Sequence, residues 1–92
     1  MKQMIEYDTN ETWVWDGDHV AVRFQVVASG KPVICFVTRE CIDDHMDDPR
    51  SDADRLREAK GRVGVITDKI GRLIAHGRVN EDGTVWLHSA DW

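Results

Sequence analysis

The stretch VAVRFQVVASGKPVICFVT, residues 20–38, decides the fold. Val20, Val22, Phe24, Val26 and Ala28 alternate with Ala21, Arg23, Gln25 and Val27, the period of two that a strand imposes on its side chains. One face is expected inward and the other partly wet. Ser29-Gly30-Lys31 closes a turn, and Pro32 opens the next strand, where only a terminal donor is lost. The run PVICFVT is apolar on both faces, with Val33, Cys35 and Val37 on one and Ile34 and Phe36 on the other. A strand of that kind is expected to be covered on both sides, by helices or by a second subunit.

Upstream, Trp13 and Trp15 share one face of a short strand, and Asp16-Gly17 suits the φ > 0 positions of a tight hairpin turn. Downstream, a short helix is predicted over residues 39–46 with Thr38 as its N-cap. Asp47-Asp48-Pro49-Arg50 then breaks the chain. Ser51 and Asp54 offer a capping-box variant, Asp standing in place of the usual Glu. The acidic first turn also suits the positive end of a helix dipole. Leu56, Ala59, Val63, Ile66, Ile70, Leu73 and Ile74 recur at spacings of three and four. They predict one long helix over 52–76 with a single apolar face, ended by Gly77. Each glycine inside it costs about 1 kcal/mol against alanine. Gly64 and Gly71, with Ala53 and Ala75, form a small-residue stripe expected to meet another backbone closely. Asp82-Gly83 makes a second tight turn, and TVWLHS a last strand with Trp86 and His88 on one face. The reading is α+β: an antiparallel sheet of about four to five strands with one short and one long helix, in the order β-β-β-α-α-β.

The totals bound the function. A chain of 92 residues makes one domain, residues 1–92, and buries roughly 60–65% of its unfolded surface. The net charge of −5 opposes general nucleic-acid affinity, which needs a Lys/Arg excess on some face. No apolar run approaches the ~20 residues of a membrane span, and the charged start MKQMIEYD is not a signal peptide. A cytoplasmic location is expected, with neither nucleic acid nor membrane as partner. Cys35 and Cys41 are too few for a disulfide framework and read as small buried groups in a reducing compartment.

Three constellations invite chemistry. DDHMDD, residues 43–48, packs four carboxylates around His45. It lacks the alternate ligand spacing, glycine and terminal glutamate of a calcium loop. Cys41 and His45 are i,i+4, but a structural zinc needs four ligands and no second pair appears. No metal and no cofactor are expected. Cys35 or Cys41 with His45 or His88 could pair a thiol with a base, yet Cys35 lies between Ile34 and Phe36, where burial favours inertness. Finally, Arg55, Arg62, Lys69 and His76 recur every seven residues and form one ridge. Segment 52–76 has six Lys/Arg against four Asp/Glu, a net of +2, while the remaining six and thirteen leave −7. Such polarity can steer an acidic partner or the acidic segment 43–54 of a second copy. An ordinary wet helix face with Glu58–Arg62 and Asp68–Arg72 pairs explains the same residues. Trp13 and Trp15 on one face fit core packing or an interface.

The residues Trp15-Asp16, Ala21-Val22-Arg23-Phe24, Gly30, Cys35, Asp44-His45, Asp82-Gly83 and Asp91 carry a resemblance to a family of short bacterial proteins catalogued as domain of unknown function 1488. It covers the chain from about Trp15 onward, with helix 52–76 matched in position and spacing. Met46 stands where the family pattern has an aromatic residue, and Cys41 where it has a small alanine; both look like core adjustments. The resemblance implies an α+β fold and a bacterial, cytoplasmic setting, and it carries no activity.

The function expected from these features is a small non-catalytic protein–protein interaction module, as a homodimer or with another protein partner. Arg55, Arg62, Lys69, His76, Trp13 and Trp15 are its expected contact residues. The alternative is a small-molecule- or metal-dependent enzyme using Cys41, His45 and nearby carboxylates.

Overall fold

Ser29 and Gly30 both adopt left-handed conformations, with φ of 52° and 79°, in a computed structural model that describes residues 5–7 and 13–92. Apart from the backbone of 5–7, the charged start lies outside the described residues. Two consecutive positive φ values make a two-residue turn of type I′, whose twist matches that of the strands it joins. It links strand β3 (Ala21–Ala28) to β4 (Lys31–Thr38), setting Ala28 opposite Lys31, Phe24 opposite Cys35 and Val22 opposite Val37. Two short strands, β1 (Ile5–Tyr7) and β2 (Val14–Asp16), pair antiparallel with opposite ends of β3. Since β4 occupies the whole of one edge of β3, both lie on its other edge, and five strands make a sheet four strands wide.

Helices α1 (Arg39–His45), α2 (Asp52–Lys60) and α3 (Val63–Ala75) follow, then β5 (Val85–Leu87) and a 3₁₀ turn (Ser89–Asp91). The fold is α+β, as expected, with two corrections. The last strand runs parallel to β4, with Phe36 opposite Trp86, so the sheet is mixed. Helices inserted between two neighbouring strands return the chain to its starting end, and a parallel pair results. The expected long helix is also two helices. Gly61 N–H bonds to Arg57 O and Arg62 N–H to Ala59 O, each at 3.0 Å, closing α2 before α3 begins. A glycine at that position adds nothing to helix propagation, and the bend lets Ala59 on one segment and Ile66, Ile70 and Leu73 on the other reach one core.

The core lies between these helices and one face of the sheet. Trp13, Val22, Phe24, Val26, Cys35, Val37, Val85 and Leu87 meet Cys41, Ile42, Met46, Ala59, Ile66, Ile70 and Leu73. Trp13 stacks on Phe24 with ring centroids 4.0 Å apart. Each large side chain so buried is worth roughly 1.5–3 kcal/mol. Helix ends follow their caps: Thr38 Oγ1 accepts from Cys41 N–H and Ser51 Oγ from Asp54 N–H, both at 3.1 Å. The Asp54 carboxylate reaches Arg50 N–H rather than that of Ser51, so the expected box is half made. At the end of α3, Gly77 (φ 74°) donates to Ile74 O and Arg78 N–H to Leu73 O, the paired bonds of a Schellman stop. The small-residue stripe is not a packing seam at Gly64, where an added Cβ would meet nothing within 4 Å.

The turn between β2 and β3 also differs from its expected form. It spans 17–20, and its left-handed residue is Val20 (φ 52°) rather than Gly17. Asp16 Oδ1 accepts from Asp18 N–H at 3.0 Å and His19 N–H at 3.2 Å, which draws the chain into a four-residue turn. Val20 O accepts from Arg39 N–H at 3.1 Å, tying the turn to the start of α1. A β-branched residue in this region is strained, whereas asparagine tolerates it. Val20→Asn is therefore expected to raise unfolding free energy by about 1 kcal/mol, read as a higher urea midpoint at unchanged slope. An equal or lower midpoint would show that the turn carries no strain.

Candidate functional site

The acidic stretch 43–48 is a clasp. Arg55 on α2 donates to both carboxylate oxygens of Asp43 on α1, at 2.8 and 3.2 Å, and to Asp52 at 2.7 Å. The same guanidinium lies 6.0 Å from the Trp15 ring centroid on β2. Bonding to Asp43 holds it firmly protonated, above its ordinary range, against the opposing effect of partial burial. Arg62 reaches Asp47 at 3.6 Å and Glu58 at 3.2 Å. Lys69 Nζ sits 4.9 Å above the Trp92 ring, and His76 is exposed just past the end of α3. Three members of the basic ridge are thus engaged within the fold. Glu58–Arg62 and Asp68–Arg72 form as the helical spacing predicts.

Two contact expectations need correction or narrowing. Trp13 is 1% exposed, so it serves the core and presents no surface. Trp15 is half-buried against that core under Arg55. A double-mutant cycle of Arg55→Ala and Asp43→Asn is expected to return a coupling of roughly 1 kcal/mol, above the few tenths typical of exposed pairs. Additive losses would mean the two side chains do not act together.

His45 and Asp44 converge on Ser89. His45 Nε2 lies 3.0 Å from Ser89 O, and Ser89 Oγ donates to Asp44 Oδ2 at 2.5 Å. A ring nitrogen facing a carbonyl must carry the proton to bond it, so this nitrogen cannot also accept from the hydroxyl 3.2 Å away. Asp44 holds the hydroxyl instead of the far imidazole nitrogen, unlike a nucleophile–base–orienter set. The arrangement docks α1 onto the 3₁₀ turn, helped by stacking of His45 on Trp92 at 5.3 Å. Among the described residues no three His, Cys, Asp or Glu groups stand close enough to hold a metal ion.

Both thiols are buried. Burial pushes each up to about 12, and for Cys41 the negative charges of Asp44 and Asp91 add to it. A thiol with a raised pKa is protonated at neutral pH, and the thiolate is the reactive form. Folded protein at pH 8 is expected to resist a water-soluble disulfide reagent, both cysteines reacting only at the rate of unfolding. Fast modification of Cys41 in the native state would restore it as a nucleophile.

The second face of the sheet has a different character. No helix among the described residues covers it. Antiparallel and parallel registers align Val14, Arg23, Phe36 and Trp86 in one row across β2, β3, β4 and β5. Phe36 is 3% exposed although no helix lies over it. Its cover is lateral: His19 at 4.6 Å and Trp86 at 4.4 Å between ring centroids, with His88 continuing the stack 6.0 Å beyond Trp86. Ile34, one step along the same face, remains 37% exposed. Cover on both sides of β4 is the expectation from sequence; among the described residues these rings are what meets its second side.

Hydrogen bonds fix the row. Trp86 Nε1–H donates to Thr84 Oγ1 at 3.2 Å, and that hydroxyl donates to Asp82 Oδ1 at 2.6 Å. Bonds from the Thr84 side chain and backbone hold Asp82 below its ordinary range. Partial burial pushes Asp16 up, but bonds from the His19 side chain and backbone outweigh it and leave the carboxyl below its ordinary value. Asp16 also meets His19 Nδ1 at 2.9 Å and, more loosely, Arg23 at 3.6 Å. The row therefore has ionised carboxylates at both sides and an exposed arginine within it. The sequence pattern puts Trp86 and His88 together but gives no sign of His19 and Arg23, because a four-residue turn in place of the expected tight one brings His19 against Phe36.

A family model described as a protein of unknown function (DUF1488) matches residues 8–87. A crystal structure of a protein of unknown function from that family, from Shewanella loihica PV-4, is similar with a TM-score of 0.78. The likeness covers 95% of this chain and 94% of that one at 17% identity, and it is a likeness of fold. No curated protein matches the chain.

Proposed function

This chain belongs to the DUF1488 family of proteins of unknown function, and we propose that it is a non-catalytic protein–protein interaction module that pairs with a second copy of itself. One observation carries the reading: the helices pack on a single face of the sheet, and the other face presents an apolar and aromatic row. A face of that kind gains most from a partner that removes it from water.

The sheet edges favour face-to-face over edge-to-edge contact. Only residues 35–37 of β4 pair with β5, which leaves an open half-edge. Ala28 and Lys31 flank the two-residue turn as a hydrogen-bonded pair, so the alternate residues Pro32 and Ile34 direct their backbone groups outward. Proline there offers no N–H, a recognised way of blunting an edge. The flanks of β5 are closed by its own turns, Asn80 N–H bonding Thr84 O at 2.9 Å and His88 N–H bonding Asp91 at 3.1 Å. A bacterial cytoplasm is the proposed setting. Two free, buried thiols fit a reducing compartment, and the family likeness runs to a bacterial protein.

Two strands of eight residues and three of three, at ~3.4 Å per residue and ~4.8 Å between strands, give a face of roughly 400 Å² per copy. That is below the ~800 Å² per partner of a standard stable interface, so a dimer of micromolar affinity is expected. Light scattering behind size exclusion should give dimer mass at high micromolar concentration. Ile34→Glu, placing a charge on the face, should give monomer with an unchanged circular dichroism spectrum. A wild-type protein that stays monomeric throughout would sink the homodimer.

A further inference from the structure

Two tryptophans of this fold are already faced by cations. Arg55 lies over Trp15 and is held there by Asp43 and Asp52. Lys69 lies over Trp92. A third, Trp13, has its ring stacked on Phe24. The fourth, Trp86, is stacked on Phe36 at 4.4 Å and flanked by His88 at 6.0 Å and His19 at 5.8 Å, with the ionised Asp82 two bonds along its hydrogen-bond chain; among the described residues no lysine or arginine sits over it. A cation on the same face is Arg23, about half exposed; among the described residues its carboxylate contact is Asp16, at 3.6 Å, beyond hydrogen-bond distance.

Register decides where that cation can go. Arg23 is opposite Phe36, and Phe36 is opposite Trp86. Adjacent strands are ~4.8 Å apart, so Arg23 and Trp86 lie at equal distances on either side of Phe36. A two-fold axis lying midway between two facing sheets, parallel to the strands and passing over Phe36, exchanges those two positions. A second copy laid face to face about that axis brings its Arg23 above Trp86 and Asp82 of the first, and receives the first copy's Arg23 in the same way. The arrangement is self-complementary, as an isologous interface requires. It also repeats between chains the combination of indole, cation and carboxylate that Trp15, Arg55 and Asp52 form within one.

Resting on the reading of the open face as a homodimer surface, we propose that the two-fold axis passes over Phe36, with Arg23 of each copy seated on the Trp86–Asp82 pair of the other. The attraction is cation–π plus charge, stronger for arginine than for lysine because the flat guanidinium stacks on the indole. Charge gives the pairing its register, and the rings and Ile34 supply the buried area.

The test is the dimer dissociation constant of the full chain, by sedimentation equilibrium, for wild type, Arg23→Lys, Arg23→Gln, Arg23→Glu and Ile34→Glu. Alongside it, the Trp86 indole N–H signal is followed by NMR on dilution. Expected is a roughly tenfold weakening for Arg23→Gln and a larger one for Arg23→Glu. Arg23→Lys should fall between wild type and Arg23→Gln. Added salt should weaken wild type more than Arg23→Gln, and the Trp86 signal should shift as wild type dissociates. Arg23 is exposed, so these variants are expected to keep the wild-type circular dichroism spectrum. If Ile34→Glu dissociates the dimer while Arg23→Gln and Arg23→Glu do not, the open face remains the interface and the arginine pairing is wrong. If wild type shows no dimer, both readings fall. An unmoved Trp86 signal in a dimer that does dissociate would overturn the placement of the axis.

Discussion

The register between β3 and β4 is the constraint on which the rest of this structure depends. Ser29 and Gly30, both at positive φ, close the hairpin with no residue to spare, so Phe24 must face Cys35 and Val22 must face Val37. A slip of one residue would turn every side chain of one strand to the opposite face. Phe24, Val26 and Val22 would leave the core, and Arg23 and Gln25 would enter it. The helices pack where those residues point. The row of Val14, Arg23, Phe36 and Trp86 exists because the same register runs through the neighbouring pairs. Core and open face are two consequences of one turn.

Elements whose signal is local were legible in the sequence. Alternation over residues 20–28 became β3, the Thr38 cap starts α1 and Gly77 stops α3. What escaped depended on where separate elements meet. The seven-residue spacing of Arg55, Arg62 and Lys69 was visible, but not that Asp43 and Asp47 would be their counterparts. The angle between α1 and α2 is set by the loop 46–51, which has no periodicity to read. The helix break was hidden because Leu56 to Ile74 keeps a nearly continuous three-four spacing across Gly61. The parallel strand depends on β5 lying beside β4, an adjacency no local pattern carries; once it does, the intervening helices make the crossover a parallel pair needs.

At the end of α1, acidic side chains would ordinarily oppose the helix dipole. Here three of the four are given a counterpart. Asp43 takes Arg55, Asp44 takes the Ser89 hydroxyl, and Asp47, beyond the helix, takes Arg62. Met46 turns inward to the core while His45 bonds the 3₁₀ turn. The stretch with the densest charge in the sequence therefore joins α1 to α2 and to the chain's last turn. Its chemistry is spent on holding elements of the chain together.

In the proposed dimer, the open face would be organised before the two copies meet. Phe36 would be costly to leave in water, yet His19 and Trp86 shield it from its flanks, so the monomer has little to gain from rearranging. His19 reaches that position because Asp16 draws the turn 17–20 back over the sheet, at the expense of a left-handed Val20. The strained turn is thus part of how the ring row is assembled. A surface organised before it meets a partner loses little entropy on docking. Modest area can then suffice for a reversible dimer, provided charge selects a single orientation.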